Sequence, residues 1–218
     1  KYFPRTEIAI WSVSVVLIVL SYLLFKSGEI LTLAASLIGV TSLILNAKGN
    51  PLGQVLVIIF SLLYGIISFS FAYYGEMITY LCMTAPMAVI ALISWLRHPY
   101  NGNRSEVEIC CVKRRDYPII ILLTIAVTVA FYFILAALDT ANLLPSTISV
   151  TTSFLAVLLT YKRSPAFALA YAANDIVLIV LWSIASFSDT SYISVVVCFL
   201  CFLINDIYGY INWRCIQR

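Results

Sequence analysis

A chain of 218 residues that is 62% hydrophobic and 11% charged, with a mean hydropathy of +1.01, falls outside the range of soluble globular domains. Its net charge of +3 comes from basic residues scattered loop by loop, which excludes a nucleic-acid-binding patch. The composition is that of an integral membrane protein.

Eight apolar segments follow one another, at residues 8–25, 30–46, 51–75, 77–96, 117–138, 140–161, 164–188 and 190–213. Nearly all reach the 17–25 residues that cross about 30 Å of hydrocarbon; the second is short. The first follows Lys1 and Arg5 without a cleavage-like small-residue tail, so no signal peptide is expected. Between the second and third lies Asn46-Ala47-Lys48-Gly49-Asn50-Pro51, a basic turn with proline. The third and fourth meet at Gly75-Glu76, read as a tight acidic turn. After Ser94-Trp95-Leu96-Arg97 comes the longest polar stretch, residues 97–116, which opens on His98 and the turn-like Pro99-Tyr100-Asn101-Gly102-Asn103 and ends in Lys113-Arg114-Arg115.

The second half repeats this plan. Lys162 and Pro165 match Lys48 and Pro51 at an offset of 114, and Trp213 matches Trp95 at 118. Three segments per repeat plus one linking segment set both repeats in the same orientation, a parallel 3+1+3 duplication. The expected organisation is an extra N-terminal helix at 1–29, a first three-helix repeat at 30–97, a cytoplasmic loop and linking helix at 98–139, and a second repeat at 140–218. Alternating sides, twelve of the thirteen basic residues fall on one face and only Lys26 on the other. By the positive-inside rule both termini are expected in the cytoplasm.

Within the eight segments the ionisable acids are Asp175 and Asp206, and acids at membrane depth usually face a bundle interior or a water path. Tyr171, Asp175 and Trp182 share one helix face, with Asn174 about 100° away. Asp206 is flanked by Asn205 on a neighbouring face. In the first repeat Asn46, Gln54, Tyr64 and Ser68 supply polar groups without charge; packing alone also accounts for Ser61, Gly65 and Ser68, and capping for Asn46 and Gln54. An indole and a carboxylate on one face suit a flat, positively charged ring. These ten residues form the expected substrate site: Asp175, Trp182, Asn174, Tyr171, Gln54, Tyr64, Ser68, Asn46, Asn205 and Asp206.

Several chemistries are absent. No phosphate-cradling Gly-rich loop occurs, no metalloprotease or nucleophile-elbow motif, and no intramembrane histidine, so neither ATP-driven pumping nor catalysis is expected. A ring of like charges or a filter repeat, expected of a channel, is also missing. The six cysteines are read as packing and loop residues; Cys198-x-x-Cys201 lacks a second pair or a nearby His. No cofactor or metal is expected.

The two proline turns, Tyr64-Gly65-Ile66-Ile67-Ser68 with Tyr74-Gly75-Glu76, the Ser-Trp-Leu-Arg ending and Asn174-Asp175-Ile176-Val177-Leu178-Ile179-Val180-Leu181-Trp182 resemble the bacterial PnuC nicotinamide riboside transporters over residues 30–218. That resemblance implies an all-α, SWEET-like 3+1+3 fold with an added N-terminal helix, set in the bacterial inner membrane. It further implies import of nicotinamide riboside by facilitated diffusion, functional coupling to a cytoplasmic nicotinamide riboside kinase that traps the product, and compatibility with a homo-oligomer. The family's Trp-x-x-Trp-x-x-x-Asn/Asp pattern here reads Ala168, Tyr171, Asp175, or Phe167, Ala170, Asn174, with neither Trp. A carrier of another vitamin, thiamine or riboflavin, or of a sugar, is the alternative.

Overall fold

The computed structural model describes residues 2–25, 30–70, 74–140 and 142–216. Lys26, the single basic residue expected on the second face, lies outside them, as do Lys1 and Arg218.

Among the described residues, eight helical spans are long and apolar enough to cross a membrane. They are α1 (Arg5–Leu24), α2 (Ile30–Ala47), α3 (Pro51–Ser70), a compound fourth span, α6 (Tyr117–Ala137), α7 (Leu143–Tyr161), α8 (Ala166–Ser186) and a last span ending in α9 (Ile193–Ile216). The fourth span runs through α4 (Tyr74–Ile78), a π-helical segment Thr79–Thr84 and α5 (Ala85–Arg97). The last begins with a 3₁₀ turn, Thr190–Tyr192, whose N-cap Asp189 accepts from the Ser191 amide at 2.8 Å. Leu122 and Phe133 on α6 are exposed, as a lipid-facing surface requires, while Trp95, Trp182 and Trp213 are buried to 1% or less.

Two of the boundaries that differ from the sequence expectation each bring an acid into a span. Helix α1 starts at Arg5, so Glu7 is helical and fully buried. Its Oε1 is 3.0 Å from Lys48 Nζ and accepts from the Tyr208 hydroxyl at 2.8 Å, pinning α1 to the first proline turn and to α9. Gly75 and Glu76 likewise lie inside α4, not in a turn, and Glu76 is buried. An acid ends an apolar run in the sequence although the helix continues through it, which is why both spans read shorter than they are.

The two proline turns fold alike. Asn50 and Ser164 amides donate to Leu45 and Leu159 carbonyls at 2.9 and 3.1 Å, and Gly49 and Arg163 amides to Asn46 and Thr160 carbonyls, both at 2.9 Å. Gly49 (φ 68°) and Arg163 (φ 58°) both take the left-handed conformation that ends a helix. The indoles cross: Trp95 donates to the Thr160 carbonyl and Trp213 to the Asn46 carbonyl, each at 2.9 Å, with ring centroids 5.6 Å apart.

The polar stretch ties this end together. Asn101 and Gly102, both with positive φ, turn a short hairpin between β1 (Pro99–Tyr100) and β2 (Asn103–Val107). At the end of β2 the Val107 amide donates to the Gly49 carbonyl at 2.9 Å, and beyond it the Cys110 amide donates to the Arg163 carbonyl at 3.0 Å. The basic loops therefore gather at one end of the bundle. Helix α6 packs chiefly against α7, and α1 against α2 and α9.

Candidate functional site

Helices α2, α3, α7, α8, α9 and the fourth span converge on a buried cavity of about 50 Å³. Its polar wall consists of Asp175, Asn174 and Tyr171 from α8, Asp206 from α9, and Ser153 from α7; Ser42 and Asn46 from α2 and Tyr80 and Thr84 from the π-segment complete the polar groups. Leu43, Val57, Phe60, Phe199 and Phe202 supply the apolar surface.

The two acids meet here. The carboxyls of Asp175 and Asp206 are close enough to hydrogen bond to one another, and the Tyr171 hydroxyl is within hydrogen-bond reach of Thr160 and within electrostatic reach of both acids. Asn174 is fixed by α7: its Oδ1 accepts from Ser149, Thr152 and Ser153 at 3.2, 2.9 and 3.0 Å. With its oxygen so occupied, its NH₂ is the end left to donate to a ligand. Asn46 is held from two sides, since Gln54 Nε2 donates to its Oδ1 at 2.9 Å and Trp213 to its backbone carbonyl. Among the described residues lining the cavity there is no Lys or Arg.

Aromatic layers bound the cavity along the bundle. At the basic end Trp95, Trp213 and Phe167 pack together, Phe167 and Trp213 at 4.7 Å between centroids. Towards the other end Tyr64 and Tyr80 lie 4.6 Å apart, with Trp182 at 6.2 Å from Tyr64 and 5.4 Å from Tyr192. Ligand pockets are typically about 300 Å³ or more. At about 50 Å³ the cavity holds little beyond a few waters.

Of the ten sequence-derived residues, Asp175, Asn174, Tyr171, Asp206 and Asn46 line this cavity. Gln54 stands behind Asn46. Tyr64 and Trp182 belong to the aromatic layer: seven residues beyond Asp175, about 10 Å along the helix, Trp182 lies past the cavity wall. Ser68 is buried further along α3. Asn205 points elsewhere, donating to Ser14 on α1 at 3.0 Å and to the Cys201 carbonyl at 2.7 Å. Ser42, Ser153, Tyr80 and Thr84 were not singled out in the sequence. A six-residue π-helical run inside an apolar span leaves no hydropathy signal, so Tyr80 and Thr84 had none to give.

Comparison with known proteins gives one consistent answer. Residues 29–215 match the model of the nicotinamide mononucleotide transporter family. The nicotinamide riboside transporter PnuC of Neisseria mucosa is 25% identical over 210 residues, covering 94% of this chain and 80% of that protein. The crystal structure of the vitamin B3 transporter PnuC shares the fold, with a TM-score of 0.85 and 22% identity over 98% of this chain and 92% of that one. The chain belongs to the nicotinamide mononucleotide transporter family. It is a multi-pass membrane transporter and not an enzyme.

Proposed function

We propose that this protein carries nicotinamide riboside across the bacterial inner membrane by facilitated diffusion. The observation that carries the proposal is the charge of the cavity: two facing carboxyls and no basic residue among its described lining. Nicotinamide riboside has a cationic pyridinium ring, which relieves the repulsion of two acids held together at membrane depth. The mononucleotide adds a phosphate, and these acids disfavour it. The riboside named for the Neisseria relative therefore fits better than the mononucleotide of the family's description.

In this proposal Asp175 and Asp206 supply the counter-charge, and Tyr171, Phe60 and Phe202 offer ring surfaces. Asn174, Asn46 and Ser153 face the ribose hydroxyls, and Trp182 with Tyr64 roofs the site. Two SWEET-like three-helix repeats, 30–97 and 140–218, joined through 98–139 in a 3+1+3 plan, rock about the Pro51 and Pro165 turns so that the cavity opens to one side at a time. The matched hydrogen bonds of those turns support it. Both termini and the basic end face the cytoplasm, in keeping with the positive-inside rule. A cytoplasmic kinase traps the import product, because the phosphorylated form is repelled by the same acids.

Purified protein in liposomes, with no energy source, is expected to equilibrate radiolabelled nicotinamide riboside and to exclude the mononucleotide. Passage of the mononucleotide at an equal rate contradicts the assignment. Thiamine, also cationic, is the rival that the acids alone do not reject; its passage in place of the riboside moves the substrate to that class.

A further inference from the structure

Between α3 and the start of the fourth span lies a second set of buried polar groups that the cavity does not use. Ser61 and Ser68 are fully buried and Glu76 is 2% exposed. Ser61 Oγ, Ser68 Oγ and Glu76 Oε2 have no hydrogen-bond partner among the described residues. Ser61, Gly65 and Ser68 recur along one face of α3. A Cβ on Gly65 would stand 2.6 Å from Leu81 Cγ, so this face abuts the π-segment.

Tyr64 and Tyr80 pair across the contact, and Glu76 is within electrostatic reach of both hydroxyls. Tyr80 in turn lines the cavity. A polar seam thus leads from Asp175 past Tyr80 to Glu76 at the end of the span opposite the basic loops. Orphaned polar groups in hydrocarbon are costly, and static packing gives them no return. A π-segment can re-register, and such segments recur at functional sites.

We propose that this seam is the route between the cavity and the membrane face opposite the basic loops. Glu76 is a second, outer cation subsite on it, taking a flat pyridinium-class cation against the Tyr64 and Tyr80 rings. The identity of that cation rests on the riboside-carrier proposal, whereas the seam's accessibility does not. An acid within a span marks a path for charge, and a tyrosine face beside it adds cation–π attraction.

The test is thiol accessibility. In a background with all six cysteines replaced by Ala, Ser61→Cys and Ser68→Cys in proteoliposomes are treated with a cationic thiosulfonate (ethylammonium) and an anionic one (ethylsulfonate). Both sites should label. At Ser68→Cys the cation should react about 10-fold or more faster than the anion, relative to a free thiol, and Glu76→Gln should abolish that preference. Failure of both sites to label while a control variant with Cys111 restored in the same background labels, or rates indifferent to reagent charge and to Glu76, overturns the proposal. No transported substrate is needed, so failure of the riboside assignment is a separate outcome. Should Ser68→Cys not fold, the same two reagents on Ser61→Cys with and without Glu76→Gln decide: a cation preference that Glu76→Gln removes supports the subsite, and rates indifferent to reagent charge and to Glu76 overturn it.

Discussion

The α2–α5 half and the α7–α9 half of this bundle carry the same frame and different walls. At the frame, positions 114 apart do the same job: Leu45 with Leu159, Gly49 with Arg163 and Asn50 with Ser164 close identical turns. At the wall, the same offset sets Val57 against Tyr171 and Phe60 against Asn174, while the counterpart of Asp175 is Ser61, which does not line the cavity. On the third helices, at 118, Thr84 faces Phe202 and Ala88 corresponds to Asp206. Helix α3 presents Val57 and Phe60 where α8 presents Tyr171, Asn174 and the Asp175 charge, whereas the third-helix pair runs the other way at Thr84 and Phe202. Turn geometry is set by backbone bonds, which tolerate side-chain change, whereas the wall is side chain alone and is free to specialise.

The largest expected effect comes from breaking the polar wall. Asn174→Leu leaves the Ser149, Ser153 and Thr152 hydroxyls without their shared acceptor. At about 1–3 kcal/mol per orphaned buried group, softened because Thr152 also bonds backbone carbonyls, the loss should be about 3 kcal/mol. Phe60→Leu at the corresponding apolar position should cost only about 1 kcal/mol. Thermal unfolding in detergent compares them, and equal losses would erase the distinction between walls.

The frame makes the opposite forecast, one of equality. Trp95→Phe and Trp213→Phe each remove one of the crossed indole bonds and should each cost about 1 kcal/mol. A several-fold difference between them in the same melting assay would show that the two ends are not equivalent. The smallest effect sharpens this further. Gly49→Ala strains a left-handed position and crowds Val107, costing about 1 kcal/mol. Arg163→Gly relaxes the matching position but loses the largely covered guanidinium's hydrogen bond to the Glu108 carbonyl at 3.2 Å and its ion pair with the exposed Glu108 carboxylate, so it should cost less than about 1 kcal/mol.

How much was legible follows from the same division. Spans and turns could be read because each is a local pattern: an apolar run of membrane length, then Lys-Gly-Asn-Pro or Lys-Arg-Ser-Pro. The two central acids stood out because charge is rare in such runs. The rest of the cavity arises where six spans meet, and no single helical period encodes which faces converge. Trp182 shares a face with Asp175 but not its depth, while Asn174, on a different face, lines the same corner because α7 grips it. Asn205 has the same composition logic as Asn174 and faces α1 instead. Glu7 and Glu76 were hidden by helix ends that hydropathy trims.

The central claim is that Asp175 and Asp206 form a counter-charge for a cationic ring. Binding isotherms of nicotinamide riboside and of its uncharged reduced form, on the native protein and on Asp175→Asn, test it most directly. The native protein should prefer the cation, and Asp175→Asn should lose roughly 10- to 150-fold for the cation, the equivalent of about 1.5–3 kcal/mol, while affinity for the neutral form stays within a few fold. Equal losses for both ligands would contradict the claim and leave Asp175 a structural group.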